Sequence, residues 1–513
     1  MPIEIATITP RGFIKDLQPA ETGQGVYNEA ENVIFNDGFA SSPPGWTGTP
    51  GTMLCKPLWL LPFNDGSTDY WLYAGNNDAE SAGVVAVTDG VTHWDITHAG
   101  GVSVTAAGDW TGGVLNGVPV LNNPSNDPMW WDGNTSNAVT SLTGWPASTK
   151  CKALRPFKYH LFAMNITQSA VEYPDWILHS DAAAQGAIPT SWTAGPSTQA
   201  GSFSISTVTG GIIDAAELRD FLVVYKQGSN AIIQYTGSAF FFSTRRAFVS
   251  TGMLNTNCAQ ELHGKHYMIT DGDIVRHNGQ QVESLVDGAL RNWLFGQINS
   301  DYSAAHATAS HSNKQIWFNF PTTSTYCDLS LVWDINSESM GVISYAAFSF
   351  MARGVLGDLS ANGWSDQTET WTAITASWES QLNASRDSLL FARYTEKELN
   401  YLTGYLRDGA ESSCKLQLLS KDLGAPTAYK TIDRVYVNGE GGSYDLNEVI
   451  TGRIGSQEAP NDTINWSPSL SLYRDKSLAY GVSGRYISLE LNMRQRADWR
   501  INSIDVHYQV SGQ

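Results

Sequence analysis

A weak internal repeat constrains this chain more than any other feature. Short apolar or aromatic segments recur through most of its length: Tyr70-Trp-Leu-Tyr-Ala-Gly75, Val118-Pro-Val-Leu121, Tyr159-His-Leu-Phe-Ala-Met164, Phe221-Leu-Val-Val-Tyr225, His266-Tyr-Met-Ile-Thr270 and Ile316-Trp-Phe-Asn-Phe320. Their starts lie 48, 41, 62, 45 and 50 residues apart. Each is followed by a second strand-like segment with a turn signal, as in residues 84–96, 128–134, 231–242, 272–284 and 329–344. Asp89-Gly90, Asp132-Gly133 and Asn278-Gly279 supply the turns, because glycine admits positive φ. Residues 369–404, with the segments TETWTAITASW and SLLFARY, read as a further unit. Hairpins at this period fit β-propeller blades, whose small sheets bury both faces against neighbours. Burial on both faces explains strands that are apolar throughout. The competing arrangement is a chain of β-sandwiches sharing turn chemistry.

Composition supports an all-β reading. Only 16% of the residues are charged, 47 are glycine and 20 proline, and 11% are aromatic. Coiled coils, long helical bundles and disordered tails are excluded by that mixture. Helical signals are few. Ser284-Leu-Val-Asp287 has a capping-box pattern leading into GALRNWLFGQI; Thr395-Glu-Lys-Glu398 and Asp214–Asp220 are shorter candidates, best read as packed connectors.

After about residue 410 the strands lengthen and alternate. In 485–492, Tyr486, Ser488, Glu490 and Asn492 face one side, with Ile487, Leu489 and Leu491 on the other. The expected fold is a β-propeller of six to eight blades in residues 59–410, followed by a β-sandwich platform in 411–513. Residues 1–58 hold one strand–turn–strand, Glu31–Gly38 then Phe39–Trp46. That is too little for a core of its own, so the segment should pack on another domain.

The net charge is −19. Duplex binding needs clustered Lys and Arg, and the nearest approaches are Arg245-Arg246 and Arg494/Arg496/Arg500. An acidic surface instead repels nucleic acid. The five cysteines, at 55, 151, 258, 327 and 414, form no CxxC or close Cys/His quartet; they read as buried hydrophobes in a reducing compartment. The opening residues show no signal-peptide pattern, and no apolar run approaches 18 residues, so no membrane-spanning segment is expected.

No catalytic, cofactor or metal constellation emerges. Asp271-Gly-Asp273 starts like a calcium loop, but no glutamate follows at the required spacing, which leaves a hairpin turn. The pairs His263/His266 and His306/His311 are separated by odd numbers and point to opposite strand faces. Glycosidase chemistry would need paired carboxylates beside a sugar platform. Trp46, Trp130, Trp131, Trp176 and Trp192 are the candidates for sugar stacking, against the plainer reading of core residues. Loops 179–201 and 355–368 are the candidates for partner-facing or gating segments.

Residues 31–46, ending in Pro-Gly-Trp, resemble the opening of tail tubular, or nozzle, proteins of short-tailed bacteriophages. Residues 153–165, 218–226, 240–279, 484–488 and 499–505 are similar to that family in the same order. The resemblance covers about two thirds of the chain and is weakest over 98–150 and 355–385. It implies a structural virion protein without catalytic residues, made in the host cytoplasm. Such a chain forms a homo-oligomeric ring, usually a hexamer, below the portal and its adaptor. It meets tail fibres or spikes and conducts and retains DNA until ejection. The alternative function is carbohydrate binding by the propeller for host-receptor recognition, with glycoside hydrolysis further behind.

Overall fold

The computed structural model describes residues 3–205, 210–237, 241–249, 251–356, 388–441 and 445–510. Among them are seven four-stranded antiparallel sheets and two six-stranded ones. The seven are the blades of a β-propeller. Blades 1 to 6 occupy residues 56–95, 111–141, 149–204, 212–249, 259–284 and 306–348 in chain order. Blade 7 takes three strands from residues 350–402 and its fourth, Trp46–Gly48, from the opening of the chain. The first strand of each blade packs against the first strand of the next, and Phe350–Gly354 of blade 7 packs back on Lys56–Asn64 of blade 1. The ring is therefore closed.

The recurring aromatic segments all fall on one structural position. They are the second strands of blades 1 to 6, Asp69–Asn76, Val118–Asn122, His160–Gln168, Phe221–Lys226, Lys265–Thr270 and Gln315–Phe320. Second strands are flanked by sheet on both edges and by blades on both faces, so they carry the most apolar residues. SLLFARY supplies Ser388–Arg393, the second strand of blade 7, whereas TETWTAITASW lies outside the described residues.

The two large sheets form the platform, and residues 1–48 are woven into both. One sheet runs Ile34–Asn36, Phe39–Ser41, Arg500–Val510, Lys430–Glu440, Ser477–Gly484, with Glu4–Ile8 also paired to Arg500–Val510. The other runs Glu29–Glu31, Ser413–Lys421, Tyr486–Arg494, Ile450–Gln457, Asn465–Trp466, with Leu470–Ser471 also on Ile450–Gln457. The opening segment thus completes sheets rather than packing as a separate layer. Asp37 and Gly38 both take positive φ (48° and 82°), the combination a two-residue hairpin turn demands. Lys421 is buried and donates to the carbonyls of Pro19, Thr22 and Gly23, at 3.3, 3.2 and 3.1 Å, which pins that segment to the platform.

Three expectations need correction. Asp214–Asp220 is not a helical turn: Ile212–Leu218 is the first strand of blade 4. Thr395–Glu398 makes the hairpin turn within blade 7. The polar face of Tyr486–Arg494 is not simply solvated, since Ser488 and Glu490 are buried, and Arg453 Nη2 donates to Glu490 Oε2 at 2.8 Å. The capping-box site does lead into a helix, the single turn Arg291–Phe295. Its first N–H groups are satisfied by the Asp16 carboxylate, at 2.8 and 2.9 Å from Asn292 N and Trp293 N.

Propeller and platform share one core. Tyr27, Val33 and Phe35 from the opening segment pack in a single apolar cluster with Phe318, Trp333 and Val342 of blade 6 and Ile432, Leu489 and Ile504 of the platform. At the seam, Trp46 is buried against Tyr345 and Phe391 at ring distances of 5.2 and 5.7 Å. The Arg407 guanidinium stacks on both Trp46 and Tyr345, at 5.3 and 5.4 Å, and donates to Ser344 O and Asn32 Oδ1. Gly45 explains the Pro-Gly-Trp motif, because a Cβ there would lie 2.1 Å from Leu406 O.

Trp46→Ala is expected to destabilise the protein by about 3–5 kcal/mol, the usual result of truncating a buried tryptophan. Gly45→Ala is expected to act in the same direction by pushing the strand from residues 404–406. Urea denaturation with limited proteolysis checks both, with new cleavage expected at 388–402. Wild-type melting of Trp46→Ala would refute the closure role.

Candidate functional site

The axis of a propeller is where its seven first strands converge, and here side chains partition it. Arg155, on the first strand of blade 3, reaches Asp214 on blade 4 in a bidentate pair, Nε to Oδ1 at 2.7 Å and Nη2 to Oδ2 at 2.5 Å. Its Nη1 donates to Gly112 O of blade 2 at 2.9 Å, and Nη2 donates to Asn257 Oδ1 next to blade 5 at 2.7 Å. Asn257 N donates back to Asp214 Oδ2 at 2.9 Å, and Asn257 Nδ2 donates to Trp110 O at 3.1 Å. One guanidinium thereby ties four neighbouring blades. The Asp214 side chain is only 3% exposed, so its charge depends on that pairing.

Two adjoining cavities, of about 240 and 280 Å³, share Gly112, Arg155, Asn257 and Gln260 in their walls. These volumes sit at the small end of ligand pockets. On the wall of the smaller cavity, Arg353 Nη1 donates to His311 Nδ1 at 2.8 Å.

A second buried polar chain joins blades 4 and 5. Gly279 N donates to His277 Nδ1 at 3.2 Å, so the proton of that ring sits on Nε2 and is donated to Tyr225 Oη at 2.9 Å. Tyr225 then donates to His266 Nδ1 at 2.5 Å, and His266 Nε2 donates to Glu217 O at 2.7 Å. Every group is satisfied with both rings neutral. Burial, the largest cause, pushes His266 down to about 4 and, with His266 beside it, His277 down to about 3. His306 does similar work between blades 6 and 7: Nε2 accepts from Met351 N and Nδ1 donates to Ala304 O, both at 2.8 Å. Burial pushes it to about 4. Burial, followed by His160, likewise pushes His179 to about 4.

The residues singled out by sequence scatter. Trp46, Trp131 and Trp192 are buried, Trp130 and Trp176 are half-buried, and no tryptophan among the described residues is exposed. The proposed stacking platform for sugars is not formed. Asp271-Gly-Asp273 is a hairpin turn, with Gly272 at φ 89° and Asp273 paired to Arg291. His263 is exposed in a turn while His266 is buried in the chain above. The five cysteines are buried and unpaired, and no three metal-ligating side chains converge among the described residues. Loop 179–201 lies inside blade 3, between its third and fourth strands, and is held by Trp192, edge-on to Trp145 at 4.7 Å. Of loop 355–368, all but the first two residues lie outside the described set.

Arg245 and Arg246 are exposed on the outer strand of blade 4, Phe242–Val249. Both parts are acidic: residues 49–410 hold 18 Lys and Arg against 32 Asp and Glu, and residues 1–48 with 411–513, which together build the platform, hold 13 against 18.

Sequence reasoning missed the Arg155–Asp214–Asn257 tie and the Tyr225 chain. Both depend on register between blades, which no local motif encodes. The available signal was a lone Arg or Asp inside apolar strands, at Leu154-Arg155-Pro156 and Ile213-Asp214-Ala215.

No family model and no curated relative matches the chain. Among solved structures it is similar to YCF48 bound to D1 peptide, at 9% identity, covering 73% of this chain and 98% of that one, with a TM-score of 0.38. It is also similar to the extracellular domain of the putative hybrid two component system BT3049 from B. thetaiotaomicron. That match has 9% identity, covers 94% of this chain and 61% of that one, and has a TM-score of 0.40.

Arg155→Met is expected to cost about 3–5 kcal/mol by leaving the Asp214 carboxylate buried and unpaired. Arg155→Met with Asp214→Asn is expected to recover part of that loss, read by urea midpoints. The histidines make stability fall with acid. Their folded pKa values lie below the unfolded value near 6.5, so the unfolded chain takes up protons first as pH drops. Their contribution is intact above pH 6.5 and is lost toward pH 3–4. At pH 4.5 each is expected to cost about 2 kcal/mol. Urea midpoints measured across that range should show a shallower slope in His277→Gln.

Proposed function

We propose that this chain is a structural subunit of a ring-shaped conduit, the distal tail nozzle of a short-tailed bacteriophage. In this reading six copies stand side by side in a homohexamer, and DNA passes between copies rather than through any one of them. The observation that carries the reading is a closed, acidic propeller locked to a β-sheet platform by strands of a single opening segment. An acidic wall lets anionic DNA slide past with few sticking contacts. The low share of charged residues, 16%, suits contacts with neighbouring copies and with an adaptor ring, where charge is depleted. A head-to-tail contact closes when its rotation divides the circle. The resemblance of residues 31–46, and of the hairpins in 153–165, 218–226 and 240–279, supports the same assignment. The reading takes the chain to be non-enzymatic, located in the virion, and in contact with adaptor and fibre or spike proteins.

Mass photometry of the purified chain with the head-to-tail adaptor of the same particle is expected to show a complex carrying six copies. Antibody labelling of intact particles is expected at the tail tip. Labelling of the capsid alone, or a chain that stays monomeric with its adaptor, would overturn the proposal.

A further inference from the structure

We infer that the cleft between the opening hairpin and blade 6 is a binding site for a hydroxyl-rich ligand, a saccharide unit. The cleft, of about 420 Å³, is larger than either axial cavity and lies within the range of small-ligand sites. Its floor is a cross-strand pair, Gln315 opposite Asp334. Both are more than nine-tenths buried, at 5% and 2% exposed. Asp334 Oδ1 accepts from Ser337 N and Oγ, both at 2.8 Å, while Oδ2 has no partner among the described residues. The Gln315 carboxamide has none either, and the two side chains do not bond each other. None of these atoms is sealed from solvent, so both side chains present unused hydrogen-bonding capacity to the cleft, where a ligand can take the place of water.

The lining fixes the ligand class. A carboxylate oxygen accepts a hydroxyl, and the neighbouring carboxamide both donates and accepts, which matches a vicinal diol. Asp37, Asn36 and Lys314 add rim groups of the same polar kind. An anionic ligand would face two carboxylates and a single lysine. A metal ion would need at least three converging ligands, and no such group occurs among the described residues. No aromatic ring lines the cleft, so binding is expected to be weak, with a Kd on the order of 1 mM. This site does not depend on the nozzle assignment and is testable on the isolated chain.

The test is saturation-transfer NMR of the full chain with D-glucose, D-galactose, D-mannose and N-acetyl-D-glucosamine, each at millimolar concentration, with and without calcium. At least one is expected to show saturation that falls about tenfold in Asp334→Asn and in Gln315→Leu. Asp334 also holds a turn, so Gln315→Leu, which loses no internal bond, guards against a folding artefact. Absence of saturation with all four sugars, saturation unchanged in Gln315→Leu, or binding that requires calcium would each overturn the inference.

Discussion

The strand Trp46–Gly48 and the contacts around it decide whether this molecule closes. A ring of sheets has one seam where the last blade meets the first, and a blade left a strand short exposes an unpaired edge. Here the missing strand comes from the opening segment, whose other strands are hydrogen-bonded into both platform sheets. Propeller closure and platform formation are therefore one event. Arg407 concentrates that dependence: its planar guanidinium stacks on Trp46 and Tyr345 while donating to Asn32 and Ser344. Four parts of the chain meet on one side chain, and each contact holds the others in place.

Two matched sets of buried polar groups join neighbouring blades. Arg155, Asp214 and Asn257 satisfy one another across four blades. Tyr225 links two histidines whose tautomers are set by Gly279 N at one end and Glu217 O at the other. These sets supply registry between wedges that apolar packing alone leaves free to slide. Gln315 and Asp334 differ in kind: their unpaired atoms reach the wall of a cleft rather than the sealed interior, which is where a ligand can complete the set.

How much of this was legible in the sequence follows from where each residue sits. The second strands of the blades were readable because burial on both faces and both edges makes them apolar, as in Ile316-Trp-Phe-Asn-Phe320. The first strands were not. Thr111-Gly-Gly-Val-Leu115 and His306-Ala-Thr-Ala-Ser310 are small and polar because they crowd at the axis, and locally they read as loop. Ile212–Leu218 reads locally as a packed connector for the same reason: Asp214 and Glu217 break its apolar run. The Pro-Gly-Trp segment was visible as a motif, but its reason lies about 360 residues away, where Leu406 leaves no room for a Cβ on Gly45. The tryptophans follow the plainer of their two readings: Trp46, Trp131 and Trp192 are buried, because large rings in a wedge-packed fold gain more between blades than in solvent.

The partitioned axis bears on any conduit function. A propeller can offer a channel along its own axis or a flank to a larger assembly. Arg155 and its partners divide the first option into two cavities of a few hundred cubic ångströms. That leaves the flanks, and it makes the rigidity of the wedge ring an asset, since a wall that must hold its shape beside a moving polymer cannot afford loose blades. In the conduit reading proposed above, the 32 acidic against 18 basic residues of 49–410 would give the passage a wall that repels nucleic acid.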